Sequence, residues 1–430
     1  DAASFEAAAR ENLTAELYGS RTPAQRAQTI QRLSGDFGRM VITALTIEGA
    51  RGRADVRGQT GLNGVLVFTF DGTPENRIAN ITVEVRPGGG PAHAGGPNVP
   101  TPPLRPDMSP SEMSAAIDSW IAPFVAHDDF AGVVLIARDG KPHAVRALGP
   151  ADRARSLAAD NDTTFNVASI GKRFTQTAIA RLVQEGRIGL DSTIGQLLPD
   201  YPNAEAHGAT IDQLIRMQGG IADIFAPERA SIPRSRLASN HDYFNFVSSL
   251  PQRFAPGAKE EYCNGCYVVL GEIVERVSGM RFEDYIQRVV FAPAGMKRTG
   301  YFRTDRLPPN TAIAYQRANG PGSPYVDATE QEGLAGSGAG GLYSTAGDLL
   351  AFDNALRDGR LLDAKQSGWV LGGSAMDGRN TTPLAIQGGG PGVSAVLYSD
   401  GHWSVIVTSN VSRPLPFQIA AAIARALRTS

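Results

Sequence analysis

The chain is poor in cysteine, lysine and histidine, and it contains no long apolar run. Two of its 430 residues are cysteine, Cys263 and Cys266, so no disulfide framework can be read from the spacing. The C-x-x-C pair has no second pair of ligands, and none of the six histidines lies near it in sequence. It therefore reads as two small residues packing at a helix start rather than as a redox or metal motif. No stretch approaches the roughly 20 apolar residues that cross a bilayer. The first residues, DAASFEAAAR, lack the basic and apolar regions of a signal peptide, as a mature exported protein or a trimmed one would. A net charge of -2 gives no electrostatic case for binding nucleic acid or an anionic membrane. Lysine supplies only five of the 41 basic residues, a skew that reflects genome composition.

What is present is ordinary for a globular protein, with 42% hydrophobic and 20% charged residues. At this length two domains are the default expectation. Residues 87–108 hold seven Pro and five Gly among few core-forming residues, so they read as an extended linker. Before it, residues 1–86 predict a small α+β domain: two helices between Ala2 and Leu33, then strands over Arg39–Ile47, Gly64–Phe70 and Ile78–Val85. Turns are expected at 58–61 and at Asp71-Gly72. That element order is similar to NTF2-like or cystatin-like domains, and no residue in it suggests catalysis. Residues 109–430 predict a hairpin on either side of Asp139-Gly140, a helix over 169–185, helices over 267–278 and 283–290, and a closing hairpin and helix. Strands at both ends of the segment with helices between them point to an antiparallel sheet assembled from distant parts of the chain.

Three elements carry chemistry. In Ala168-Ser-Ile-Gly-Lys172, Ser169 and Lys172 are three residues apart and share one face if a helix begins there. A serine hydroxyl is a weak nucleophile until a neighbour takes its proton, and a lysine shielded from water can lose its charge and do so. This is the only S-x-x-K in the chain. In Glu261-Tyr-Cys-Asn-Gly-Cys-Tyr267, Tyr262 can serve as base or proton relay, and Asn264 offers both a donor and an acceptor. Tyr201-Pro-Asn203 has the same spacing, but its proline suits a rigid catalytic placement less well. In Gln387-Gly-Gly-Gly-Pro-Gly392, the glycines let substrate approach the backbone and let an N–H meet an oxyanion. A phosphate loop is discounted there because no Lys-Ser/Thr and no helix follow.

In this order the three elements resemble the penicillin-binding-protein-like serine hydrolases: class C β-lactamases, D,D-peptidases and related esterases. The similarity extends over about residues 110–428 and includes Phe165–Thr175, Val183–Asp191, Thr210–Ile221, Phe254–Gly257, Val289–Met296 and Gly336–Thr345. It implies an antiparallel sheet flanked by helices with an all-helical lobe, the site lying between them. It also implies acyl transfer without metal or cofactor: Ser169 attacks, Lys172 and Tyr262 handle its proton, and Asn264 holds Lys172 and the substrate amide. The oxyanion is expected to meet the N–H of Ser169 and one glycine N–H.

Two departures bear on substrate. The family usually carries Lys or His at the start of the third motif; a gap-free reading places Ile386 there with Gly389 as oxyanion donor, and a one-residue gap places Gln387 there with Gly390 as donor. A missing cation weakens recognition of a carboxylate-bearing substrate and matters less for a neutral ester. The usual His-Thr-Ser-Gly segment is replaced by Met217-Gln-Gly-Gly220, which reads as structural. The reading is an esterase or amidase of a periplasmic or secreted protein acting on a small or peptide-like ester or amide. A β-lactamase, D,D-peptidase or D-aminopeptidase is the alternative, and a non-catalytic cell-wall or peptide binder is the alternative of another class.

Overall fold

A computed structural model describes residues 2–19, 26, 40–58, 63–86, 99–318, 322–331, 333–372, 384–412 and 414–428. The chain divides into two compact units, Asp1–Pro100 and Thr101–Ser430. Much of the second expected N-terminal helix, the turn over 59–61 and residues 87–98 of the expected linker lie outside the described residues. Residues 101–108 belong to the larger unit: Leu104 is buried, and the Met108 carbonyl lies 2.9 Å from His143 Nε2.

In the smaller unit, α1 (Ala2–Asn12) and α2 (Ala15–Gly19) precede a four-stranded antiparallel meander, β1 (Met40–Glu48), β2 (Arg51–Gly58), β3 (Asn63–Phe70) and β4 (Ile78–Arg86). Sequence reading misses β2. Its apolar positions are the small Gly52, Ala54 and Val56, alternating with charged residues, and Gly52 lies directly under the Phe68 ring. The pattern has the period of a strand but little hydrophobic bulk.

The larger unit is built on a five-stranded antiparallel sheet. Helix α3 (Pro110–Ala126) starts with a capping box, Ser109 accepting from the Glu112 N–H and Glu112 accepting from the Ser109 N–H. The chain then forms β5 (Gly132–Arg138) and β6 (Lys141–Leu148), joined at Asp139 and Gly140, both with positive φ (49° and 72°) as a tight hairpin turn requires. A short strand, β7 (Phe165–Asn166), leads into α4 (Gly171–Gln184). The helical region continues through α5 (Asn240–Ser248) and α6 (Asn264–Ser278), which ends on Gly279 at φ 71°. A second short strand, β8 (Tyr343–Ser344), pairs with β7 and precedes α7 (Ala346–Arg357). Then β9 (Leu384–Gly390), β10 (Val393–Ser399) and β11 (Trp403–Ser409) complete the sheet before α8 (Leu415–Arg428) closes the chain. The sheet order is β9-β10-β11-β5-β6, so chain segments some 270 residues apart pair across β11 and β5.

Nearly every residue of β5, β10 and β11 is buried, because helices cover this sheet. Beneath α4, the Phe174 ring meets Phe291 and Phe352 edge-on at 5.3 and 4.7 Å, all three fully buried. Each such pair contributes about 0.5–1.5 kcal/mol beyond the area it buries, so the underside of α4 is anchored while its first turn faces the site.

Candidate active site

Ser169 sits on a single 3-10 turn, Ala168–Ile170, between β7 and α4. Ala168 is held at φ 43°, a conformation that costs an L-residue roughly 1–2 kcal/mol. Its N–H donates to Asn166 Oδ1 at 2.8 Å, which supports the bend. Two glycine segments close over the turn. A Cβ on Gly388 would stand 2.1 Å from the Val167 carbonyl oxygen and 2.8 Å from the Ser169 nitrogen; one on Gly340 would stand 2.2 Å from the Ala168 carbonyl oxygen. The glycines of the third motif thus have a packing role: they let β9 pass against the backbone of the Ser169 turn.

Lys172 lies one turn on and is buried. Its Nζ lies in hydrogen-bond reach of three oxygens, Ser169 Oγ at 3.1 Å, Asn264 Oδ1 at 2.8 Å and the Ala339 carbonyl at 2.7 Å. Tyr262 Oη donates to Ser169 Oγ at 2.7 Å, and the Tyr262 ring lies 4.9 Å from Lys172 Nζ. The tyrosine is 53% exposed, so the hydroxyl pair opens on solvent while the lysine behind it does not. Ser169, Lys172, Tyr262 and Asn264 therefore converge on one point from two elements some 90 residues apart. The neighbouring Tyr267 is sealed within α6, where burial pushes its phenol up to about 12, and it donates to the Ile215 carbonyl. Tyr201 is buried against Phe244 and His207, away from these groups.

Tyr262 and Asn264 are placed by the start of α6. Cys263 is its N-cap residue, and Cys263 and Cys266 form a disulfide across the first turn. This corrects the expectation of two separately packed small residues: i and i+3 at a helix start bring the two Cα atoms to 5.3 Å, within disulfide reach. The segment 217–220 is laced to the approach to Tyr262, with Arg253 N donating to Gly220 O, Gly257 N to Gln218 O and Glu261 N to Met217 O. That is the structural part expected for the altered Met217–Gly220 segment.

In β9, Ile386 is buried two residues before Gly388, and Gln387 between them is exposed. Alternation therefore puts Ile386 and Gly388 on the face that meets the Ser169 turn. Being the edge strand, β9 has a row of N–H and C=O groups not paired within the sheet.

Two site groups escape sequence reading: the Ala339 carbonyl, which no side-chain pattern can signal, and Asp223, which accepts from Asn264 Nδ2. Elsewhere, ligand-type atoms of His241, Glu272 and Glu275 lie within 4.8 Å of one another, but Glu272 is already engaged by His241 at 3.0 Å and Arg276 at 3.1 Å. Among the described residues no helix is long and apolar enough to cross a membrane.

Comparison with known proteins identifies the family and the fold. The Beta-lactamase family matches residues 117–429. The Bacillus subtilis (strain 168) protein PbpX is 29% identical over 246 residues, 57% of this chain and 59% of that protein, so the match spans under two thirds of that relative. Among solved structures, a penicillin binding protein from Bacillus halodurans superposes with a TM-score of 0.62 at 27% identity, covering 70% of this chain and 98% of the other. A D-amino acid amidase from Ochrobactrum anthropi SV3 does so at 0.62 and 25%, covering 73% and 98%. The match over most of the chain, together with the shared fold, establishes that this chain belongs to the beta-lactamase family.

Proposed function

We propose that the larger unit hydrolyses a neutral ester or amide through an acyl-enzyme on Ser169. The observation that carries this reading is Ser169 Oγ held between Lys172 Nζ at 3.1 Å and Tyr262 Oη at 2.7 Å. As Oγ attacks a carbonyl carbon, its proton passes to Lys172 as the neutral amine or to Tyr262 as the phenolate, and in that hydrogen bond Oγ is then the donor. The exposed Tyr262 hydroxyl is placed to return a proton to the departing alcohol or amine. Water then attacks the acyl-enzyme and restores Ser169. The oxyanion is assigned to the N–H groups of Ser169 and Gly389. The close approach of Gly388 to the Ser169 nitrogen supports Gly389 over Gly390, and a donor of this kind is worth about 10²–10³ in rate. Ile386, apolar and buried in the slot where the family usually carries a cation, supports a neutral substrate over a β-lactam or peptide carboxylate. A periplasmic or secreted location accords with the Cys263–Cys266 disulfide, since such bonds persist in oxidising compartments.

The test is hydrolysis of a short-chain nitrophenyl ester by the wild type and by Ser169→Ala, with intact-mass detection of the acyl-enzyme. Turnover and an acyl adduct that both vanish in Ser169→Ala support the proposal. A wild type that neither turns over nor acylates rejects it and favours the non-catalytic binder.

A further inference from the structure

We infer that Asp223 is a positioning residue that sets the orientation of the Asn264 amide and, through it, the seat of Lys172. The inference deepens the proposed reaction and rests on it for its kinetic consequence. Asn264 Nδ2 donates to both carboxylate oxygens of Asp223, at 3.2 and 3.1 Å, and the Asn264 N–H points to the same carboxylate at 3.4 Å. On the other side, Asn264 Oδ1 accepts from Lys172 Nζ at 2.8 Å.

An asparagine amide has two faces of nearly equal shape and opposite polarity. A 180° turn would place its NH₂ against the lysine and its oxygen against the aspartate. An ionised carboxylate can only accept, so Asp223 admits Nδ2 alone and leaves Oδ1 for Lys172. The chain is shaped to bring the two together. Gly265, directly after Asn264, lets the Ala222 carbonyl lie where a Cβ would be only 2.0 Å away, and Gly219 faces Cys266 Sγ at the same helix start. Asp223 Oδ1 also accepts from the Phe225 N–H at 2.9 Å, which fixes the carboxylate on its loop. Asp223 touches neither Ser169 nor Lys172 in the hydrogen-bond network, so its influence passes through Asn264.

The scarcity of lysine provides the experiment. Protein labelled with ¹⁵N at lysine has five side-chain Nζ sites, and Lys172→Met identifies the one in question. In Asp223→Ala, the Lys172 Nζ resonance should shift or broaden while the other four stay in place. The kcat for a nitrophenyl ester should fall about 100-fold, with KM changing much less, as expected when a reacting group moves by about 1 Å. Asp223→Asn, nearly isosteric and retaining one acceptor, should fall between the two and serves as the informative variant if Asp223→Ala does not fold. An unmoved Lys172 resonance with unchanged kcat in a folded variant overturns the inference. A wild type without Ser169-dependent turnover would reject the proposed reaction, while the resonance would still decide whether Asp223 positions Lys172.

Discussion

Gly388→Ala tests whether the third motif is tied to the Ser169 turn by packing. The added Cβ would lie 2.1 Å from Val167 O, 2.8 Å from Ser169 N and 3.0 Å from Ile170 N, all backbone atoms. A carbon normally stays about 3.3 Å or more from a carbonyl oxygen, so the two backbones must separate by roughly 1 Å. The strand resists: β9 is paired to β10 from Leu384 through Gly390. The Ser169 turn resists too, through the pairing of β7 with β8 and the anchored Phe174. Overpacking of this kind destabilises by about 1–3 kcal/mol. A displacement of about 1 Å between Ser169 and the glycine donor should lower turnover about 100-fold, or about 2.7 kcal/mol of barrier. The assay is kcat/KM on a nitrophenyl ester alongside thermal unfolding. Gly208→Ala is the control, because a Cβ there meets nothing within 4 Å. A Gly388→Ala enzyme with wild-type turnover and melting temperature would refute the packing argument.

Four further expectations concern other parts of the molecule. Lys172→Met should lower ester turnover by about 10²–10⁴, the range for a lost acid–base group, and near-native rates would remove Lys172 from the mechanism. Ile386→Lys should raise kcat/KM for a carboxylate-bearing substrate relative to a neutral ester by about tenfold or more; an unchanged ratio would show that this slot does not face the substrate. Thiol titration should find no free cysteine until a reductant is added and two afterwards, with reduction costing about 2 kcal/mol by loop closure; an unchanged melting temperature on reduction would contradict this. In the smaller unit, hydrogen bonds from Arg26 and Tyr18 hold the Glu6 carboxyl at about 2 against an ordinary 4.5. A lowered folded value stabilises above the unfolded value and is lost as pH falls through the folded one. Glu6→Gln should therefore destabilise at pH 7 and progressively less as pH falls through about 2, and an equal effect at pH 7 and below pH 2 would exclude the ion pair.

Much of the larger unit was legible because its signals are local. The hairpin at Asp139-Gly140 follows from turn chemistry between apolar runs, and the helix after Ser169 follows from its apolar face. The candidate site residues were legible through spacing, S-x-x-K on one turn and Y-x-N at a helix start. Strand β2 was missed because glycine and alanine carry its buried face. The disulfide was missed because pairing depends on the distance between two cysteines, which spacing alone does not settle. Asp223 was missed because an aspartate after a glycine pair is ordinary in a loop, and its meaning lies in a contact 41 residues away.

The sequence by itself determined which groups can do chemistry: a lone S-x-x-K, a tyrosine and asparagine flanking one cysteine, and a glycine run without a cation. Local hydrogen bonding and side-chain periodicity set these within a few residues of each other, so a one-dimensional reading can find them. Only the tertiary structure decided that Ser169 lies between Lys172 and Tyr262, that Ala339 and Asp223 complete the surroundings of Lys172 and Asn264, and that Ile386 rather than Gln387 faces the Ser169 turn. Those relations depend on close approach between segments up to 220 residues apart, where a missing Cβ at Gly265, Gly340 or Gly388 sets the distance.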